Sequence, residues 1–564
     1  PNKPRGAAPM TRKFFLLLVF CFFQQEPFRL AEPGLPYQLL NSRTPEKHQI
    51  ETMPGGVAVF DFDNDGRLDI FFVNGARQPF LRKTGPEWWN RLYRNLGEWK
   101  FEDVTEKAGL RGEGYGMSAT AGDYDNDGLT DLLVTGVGFN TLYRNRGNGA
   151  FADVTAKAGI QPSGWSIGGV WFDSENDGDL DLFIVNYCVW NPLTEPFCGD
   201  RIAGYRTYCH PKHYAGLPNV LYRNNGDGTF TDISLESGIG AKIGKGMAAA
   251  LADYNNDGHT DIFVTNDTEP NFLFRNEGGN RFTEVGMEAG VAVIDDGKAL
   301  SSMGAGFADF NDDGRPDIFY TALINETFPL FKNLGNGLFQ DLTYRSRIGA
   351  ASLLQSGWSF GIFDFDNDGW KDIFVAAGDV QDNTEIYSSR QSKQQNQLFR
   401  NRGDGTFESF KFGPARQHRG TAFGDLDGDG AMDAVVTTLD GPVELWRNKF
   451  AAGRGWVGFA LTGTRSNRDA VGAKVRLSAG GRIQHSHVSP FCGYLGTNAR
   501  TLYFGLGSTP QAEWAEIVWP SGASQRIQRP ASGKVHAITE PRAAAGPGRE
   551  AAPHPGGPRP VPAL

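Results

Sequence analysis

The sequence is short of the residues that make catalytic and redox sites. Its 564 residues include 5 cysteines, 9 histidines and 7 methionines. It has no H-E-x-x-H pair and no phosphate-cradling glycine loop ahead of a helix, so no catalytic constellation is expected. Long apolar runs are also missing. The one marked run, Phe14–Phe23, spans ten residues, too few to cross a bilayer. It follows Met10, Arg12 and Lys13 and precedes Gln24 and Gln25, the layout of a secretory signal. Met10 is read as the start, residues 1–30 as a leader that includes the signal, and no transmembrane segment is expected in the mature chain. Positive charge is in deficit as well. A formal net charge of −10 argues against a nucleic-acid partner.

Glycine (73 residues) and aromatics (12%) are abundant, which suits many tight turns between short, packed strands. The acids are not scattered. Seven copies of one nine-residue pattern recur: DFDNDGRLD, DYDNDGLTD, DSENDGDLD, DYNNDGHTD, DFNDDGRPD, DFDNDGWKD and DLDGDGAMD, with a mean period of about 61 residues. A small, apolar segment precedes each copy and a strand-like run such as IFFV or LLVT follows. A marker then appears: LYRN, LFRN, LFKN or LWRN. In six copies the marker leads through a glycine turn to an aromatic. The unit reads as strand, acidic loop, strand, strand, glycine turn, strand. One such sheet cannot bury both faces, but seven arranged radially can. The expected fold is therefore all-β, a seven-bladed β-propeller over residues 31–452. A linear β-solenoid is the rival, although its rungs are usually shorter.

The spacing D-x-[DN]-x-D-G-x-x-D points to calcium, a hard cation taking six to eight oxygens. The candidate ligands at positions one, three, five and nine are, in the first three loops, Asp61, Asp63, Asp65 and Asp69; Asp123, Asp125, Asp127 and Asp131; Asp173, Glu175, Asp177 and Asp181. The fourth and fifth loops offer Asp253, Asn255, Asp257 and Asp261, and Asp309, Asn311, Asp313 and Asp317. The last two offer Asp364, Asp366, Asp368 and Asp372, and Asp425, Asp427, Asp429 and Asp433. At position seven Arg67, Leu129, Asp179, His259, Arg315, Trp370 and Ala431 would each lend a backbone carbonyl, and glycine at six permits the sharp turn. A metal-free Asx-turn is the alternative for any single copy. These positions hold 26 of the chain's 65 acids, and seven Ca²⁺ would turn −10 into +4. About seven sites are expected, graded in affinity because Asn255, Asn311 and Glu175 depart from aspartate. Folding is expected to be calcium-linked.

Marker spacing locates insertions in the first, third and sixth repeats. The third, from about Tyr187 to Leu217, holds Cys188, Cys198 and Cys209. With Cys21 lost in the leader, four cysteines allow two disulfides by three pairings, and Cys198–Cys209 is preferred. Binding specificity tends to sit on such decorated loops. Trp88, Trp89 and Trp190 there suit either sugar stacking or packing. His485 with His487, and His210 with His213, are weaker metal candidates, read first as plain surface residues. N-D-T at Asn266 and N-E-T at Asn325 are glycosylation sequons, the first crowded by a nearby loop.

From about 453 to 540 the acidic pattern stops. GAKVRL, LYFGLG and VWPSG mark a small β-rich domain, and 541–564 reads as a disordered Pro/Ala/Gly tail. The acidic loops resemble the FG-GAP (VCBS) repeats of integrin α-chain propellers. Together with GAKVRL, FGLG and VWPSG they resemble the ASPIC/UnbV family over roughly residues 50–540. The resemblance implies a secreted calcium-binding propeller of matrix or cell-surface type, with a C-terminal module. Departures are the Asn and Glu substitutions and the lack of an EGF-like cysteine cluster. The expected function is extracellular binding, adhesion or matrix structure (periplasmic or cell-surface if bacterial), with a protein or glycan ligand. A lectin-like propeller is the alternative, and a propeller hydrolase or lyase a more distant one.

Overall fold

The computed structural model describes residues 27–542 except Pro33 and Asp440. The expected signal segment with Cys21, and nearly all of the expected tail, lie outside the described residues. Among the described residues seven sheets follow one plan, each starting from a short apolar strand and carrying one acidic loop. In the second sheet Gly116–Gly122 leads through the loop to Asp131–Gly136, then Phe139–Asn145 and Phe151–Asp153, all antiparallel. Both faces of the inner strands are buried, which is why they read as GMSATAG or GMAAALA rather than as alternating polar and apolar residues.

Side-chain hydroxyls tie several neighbouring sheets together. Thr120 Oγ1 donates to Gly169 O (2.9 Å), Thr265 Oγ1 to Met303 O (2.6 Å) and Thr321 Oγ1 to Trp358 O (2.7 Å). Thr437 Oγ1 donates to Gly55 O (2.8 Å) and so joins the last sheet to the first. Aromatic and aliphatic side chains fill the wedges between sheets, for example Phe263 against Phe307 and Phe319 against Phe360. The molecule is an all-β propeller with a C-terminal β domain.

The last sheet closes the ring in a way the expected boundary at residue 31 missed. Its fourth strand is Phe28–Leu30, which pairs antiparallel with Glu444–Asn448. Phe28 is fully buried against Phe365, Phe374 and Phe412. This is why the seventh copy alone lacks the glycine turn and aromatic: its outer strand comes from the other end of the chain.

The C-terminal domain packs a three-stranded and a four-stranded sheet around Val457, Phe459, Val475, Phe504 and Trp519. One of its loops enters the propeller axis. Gly493 and Ala305 exchange backbone bonds, Tyr494 N donates to Ser359 Oγ, and Gly496–Thr497 adds as a parallel strand to Val57–Phe60. Thr497 Oγ1 donates to Ala119 O (3.0 Å), and Asn498 Oδ1 accepts from Phe423 N (3.0 Å). The axis is thus filled by residues 491–498. Gly493 is required there: its φ is +96°, and a Cβ would lie 2.4 Å from Phe360 O.

Candidate metal centres

Every acidic loop is wound by the same hydrogen bonds. The position-one aspartate accepts the N–H of positions five and six, as in Asp65 N to Asp61 Oδ1 (3.1 Å) and Gly66 N to Asp61 Oδ2 (2.8 Å). The position-five aspartate accepts the N–H of position seven in all seven loops. Position four adopts positive φ, 56° at Asn64 and 73° at Gly428, and position six is glycine at 81–98°. Asparagine and glycine tolerate this region, and that explains the N-D-G core of the repeat.

The position-nine aspartate begins the next strand and is buried, with one oxygen taking the N–H of the marker asparagine, as in Asn95 N to Asp69 Oδ1 (2.7 Å). Each marker asparagine then donates from Nδ2 to position two of the neighbouring sheet's loop. Asn145 reaches Phe62 O (2.8 Å), Asn224 reaches Tyr124 O (2.8 Å), and Asn95 reaches Leu426 O (3.0 Å) across the closure. All seven do this. The marker was visible in the sequence; its role as an inter-sheet latch was not.

Four loops bring three carboxylates within 4.8 Å of one another: Asp61, Asp63 and Asp69; Asp123, Asp125 and Asp127; Asp364, Asp366 and Asp372; Asp425, Asp427 and Asp433. The third, fourth and fifth loops, with Glu175, Asn255 and Asn311 at position three, form no such group among the described residues. In the fourth loop Asn255 Nδ2 instead donates to Asp257 Oδ2 (2.7 Å). Burial, and after it neighbouring carboxylates, push the acids upward: Asp69 to about 7, Asp131 to about 9 and Asp364 to about 8. Asp63 Oδ1, Asp125 Oδ1 and Asp427 Oδ1 are buried without a hydrogen-bond partner. Crowded hard oxygens with such orphaned lone pairs fit a divalent cation of calcium type. At position seven Trp370 stacks under Arg482 (3.7 Å), so its indole is no ligand.

The C-terminal domain sits on this acidic face. Lys474 Nζ lies 2.8 Å from Asp253 Oδ2, Tyr503 Oη donates to Asp425 Oδ2 (3.1 Å), Gly505 N to Asp364 Oδ2 (3.1 Å), and Arg482 Nε lies 2.8 Å from Asp312 Oδ2. A cavity of about 580 Å³ remains between the domain and the propeller. His485 and His487 line it rather than facing open solvent, and His487 is hydrogen-bonded at Leu251 O (3.1 Å). Neither belongs to a metal-binding group among the described residues.

On the opposite face the insertions meet. Cys198 and Cys209 form the preferred disulfide; Cys188 and Cys492 are unpaired thiols, so the second bridge is not made. Tyr208 N donates to Gln381 Oε1 (2.8 Å) and Asn383 Nδ2 to Arg206 O (2.8 Å), which links the third and sixth insertions. Trp190 packs edge-on to Trp165 and His48, and Trp89 lies under Arg111, so both are packing residues. His210 Nδ1 accepts Lys212 N in a local turn. Asn266 is fully buried and bonded to Pro270 O, whereas Asn325 is exposed.

The sequence does hold G-x-S-x-G twice, at 164–168 and 357–361. Both serines lie in or at the start of inner propeller strands and not on a strand-to-helix elbow. Ser166 Oγ is bonded to Asn186 Oδ1 (3.0 Å) and Ser359 Oγ to Thr421 Oγ1 (2.7 Å).

The pattern of the FG-GAP-like repeat matches at 61–134, 123–184, 215–264, 253–320, 309–375 and 382–458, more than half of the chain. The chain belongs to the FG-GAP-like repeat family. Residues 463–545 match a second family, ASPIC and UnbV, which assigns the domain on the acidic face of this FG-GAP propeller. Cartilage acidic protein 1 of Homo sapiens is 28% identical over 322 residues, 55% of this chain and 46% of the human protein. The Mus musculus protein is 28% identical over 302 residues, 52% of this chain and 44% of its own length. The chain thus spans about half the length of the curated relatives it matches. Among solved structures, an Agrocybe aegerita lectin recognising non-reducing terminal N-acetylglucosamine is similar at 18% identity, over 69% of this chain and 87% of the lectin. Its TM-score of 0.35 gives that likeness no weight in assigning a ligand.

Proposed function

We propose that this FG-GAP protein is a secreted, calcium-binding propeller that serves as an extracellular binding or matrix-type structural protein, not as an enzyme. The supporting observation is the convergence of buried carboxylates in the acidic loops, with one oxygen of Asp63, Asp125 and Asp427 left without a partner. Calcium bound there would neutralise charges that burial and crowding otherwise drive toward protonation. Positions one, three, five and nine of the loops supply the carboxylates, and the marker asparagines hold the loops of adjacent sheets together. The homology to cartilage acidic protein 1 supports the extracellular setting. No helix among the described residues is long and apolar enough to cross a membrane. The fused insertions, with Leu193 90% and Ile202 63% exposed, are the surface we assign to a protein or glycan ligand.

Calcium titration calorimetry and melting with and without chelator test this reading. Up to seven bound ions and a melting temperature that rises with free calcium are expected. A ligand at 100 times its Kd adds about 2.7 kcal/mol per site. Identical apo and calcium-loaded melting curves would overturn it.

A further inference from the structure

The four loops whose carboxylates converge share a second feature. In each, the arginine of the marker strand reaches back to positions three and five. Arg94 lies 2.7 Å from Asp63 and 3.2 Å from Asp65, and Arg144 lies 2.6 Å from Asp125 and 3.0 Å from Asp127. Arg400 lies 2.6 Å from Asp366 and 3.2 Å from Asp368, and Arg447 lies 2.7 Å from Asp427 and 3.5 Å from Asp429. In the first, second and seventh loops the arginine takes Oδ2 of position three, and it is Oδ1 that stays buried and unpartnered. No marker arginine pairs with position one or nine among the described residues.

The other three loops lack this arrangement. Arg275, on the fourth marker strand, pairs with Glu277 (2.7 Å). The fifth marker strand carries Lys332, 3.5 Å from Asp313. Arg223, on the third, makes no ion pair with Glu175 or Asp177 among the described residues, although Glu175 Oε2 is itself unpartnered.

We propose that Arg94, Arg144, Arg400 and Arg447 are positioning residues that make the first, second, sixth and seventh loops the tight calcium sites. A planar guanidinium grips two carboxylates from the outer side and offsets their mutual repulsion; in the first, second and seventh loops it also turns the free oxygen of position three inward, and in the sixth Arg454 joins Arg400 at Asp366 (2.9 Å). The sixth, seventh, first and second sheets are consecutive across the ring closure, so the tight sites form one arc. The third, fourth and fifth loops form the other arc and bind calcium more weakly or not at all. The proposal rests on the calcium reading above.

The test is calorimetric titration of the calcium-stripped full chain with calcium chloride at fixed ionic strength. A tight class of four ions is expected. Arg144→Gln should reduce it to three, with the second loop weakened about 10–100-fold, the usual effect of removing a group that orients a metal ligand. Arg144→Lys keeps the charge without the two-carboxylate grip and should recover part of the loss. Arg275→Gln, at the same strand position in the fourth repeat, should leave four. Arg144 is 46% exposed, so its replacement is compatible with folding; Arg94→Gln on the first loop reads the same effect independently. Seven equivalent ions, or an unchanged or tighter second loop in Arg144→Gln, would overturn the assignment, as would equal losses in the Gln and Lys variants. No calcium binding by the unaltered chain would instead overturn the proposed function itself.

Discussion

The marker asparagine carries more than its place in a four-residue motif suggests. Asn145 is buried, its Nδ2 donates to Phe62 O and Thr130 O, and its Oδ1 accepts Gly147 N. Asn145→Ala leaves those groups without partners and should destabilise the chain by about 2–3 kcal/mol, read from chemical denaturation at saturating calcium. The LYRN spelling was legible in the sequence; its partner was not, because Phe62 lies 83 positions away. Glu540 is a second such residue. Burial raises its pKa, but N–H bonds from Thr464, Arg465 and Ser466 and the Ser521 hydroxyl outweigh burial and bring it from 4.5 to about 2. A depressed carboxylate pKa gives stability that is full above the unfolded value and lost as pH falls from about 4.5 toward 2. Melting of the C-terminal domain should weaken across that window, and Glu540→Gln should flatten the dependence while lowering stability at pH 7.

Among the elements, the decisive one is the shortest. Phe28–Leu30 has three residues, yet it supplies the outer strand of the last sheet and buries Phe28 completely. Phe28→Ala should cost about 3–5 kcal/mol in equilibrium unfolding, a large effect for a side chain so near the start of the described chain. The sequence held the clue in negative form, since only six copies carry the fourth-strand signature. Which segment completes the seventh is set by ring closure, and three residues show no periodicity of their own. The insertions were located correctly from marker spacing, but their mutual contacts through Tyr208, Gln381 and Asn383 depend on blades brought together across the axis.

At the scale of the whole molecule, the C-terminal domain is a cover and a plug. It rests on the acidic loops and sends residues 491–498 down the axis, where Tyr494 Oη donates to Met53 O (3.0 Å) beside Trp358. Gly493→Val places a branched side chain at φ +96° against Phe360 O and should cost on the order of 3 kcal/mol or more. Limited proteolysis should then release the C-terminal domain from a propeller that otherwise resists digestion. Release without any loss of melting temperature would show that the axial loop is dispensable for the propeller.

The sequence by itself determined what is local and repeated: the acidic turns, their number, the strand order within a repeat and the position of the insertions. Each follows from residues within one period, where glycine and asparagine set the backbone and carboxylate spacing sets the chemistry. Only the tertiary structure decided what joins distant parts of the chain. It showed which strand closes the ring, that the arginine of the marker grips its own loop in four repeats but pairs with Glu277 in the fourth, and that His485 and His487 line a cavity. It also showed that Cys492 lies near the axis, apart from any partner thiol. Ring closure and the cavity depend on packing between segments hundreds of residues apart, and the arginine grip on side-chain geometry within one sheet; periodicity within a repeat encodes neither.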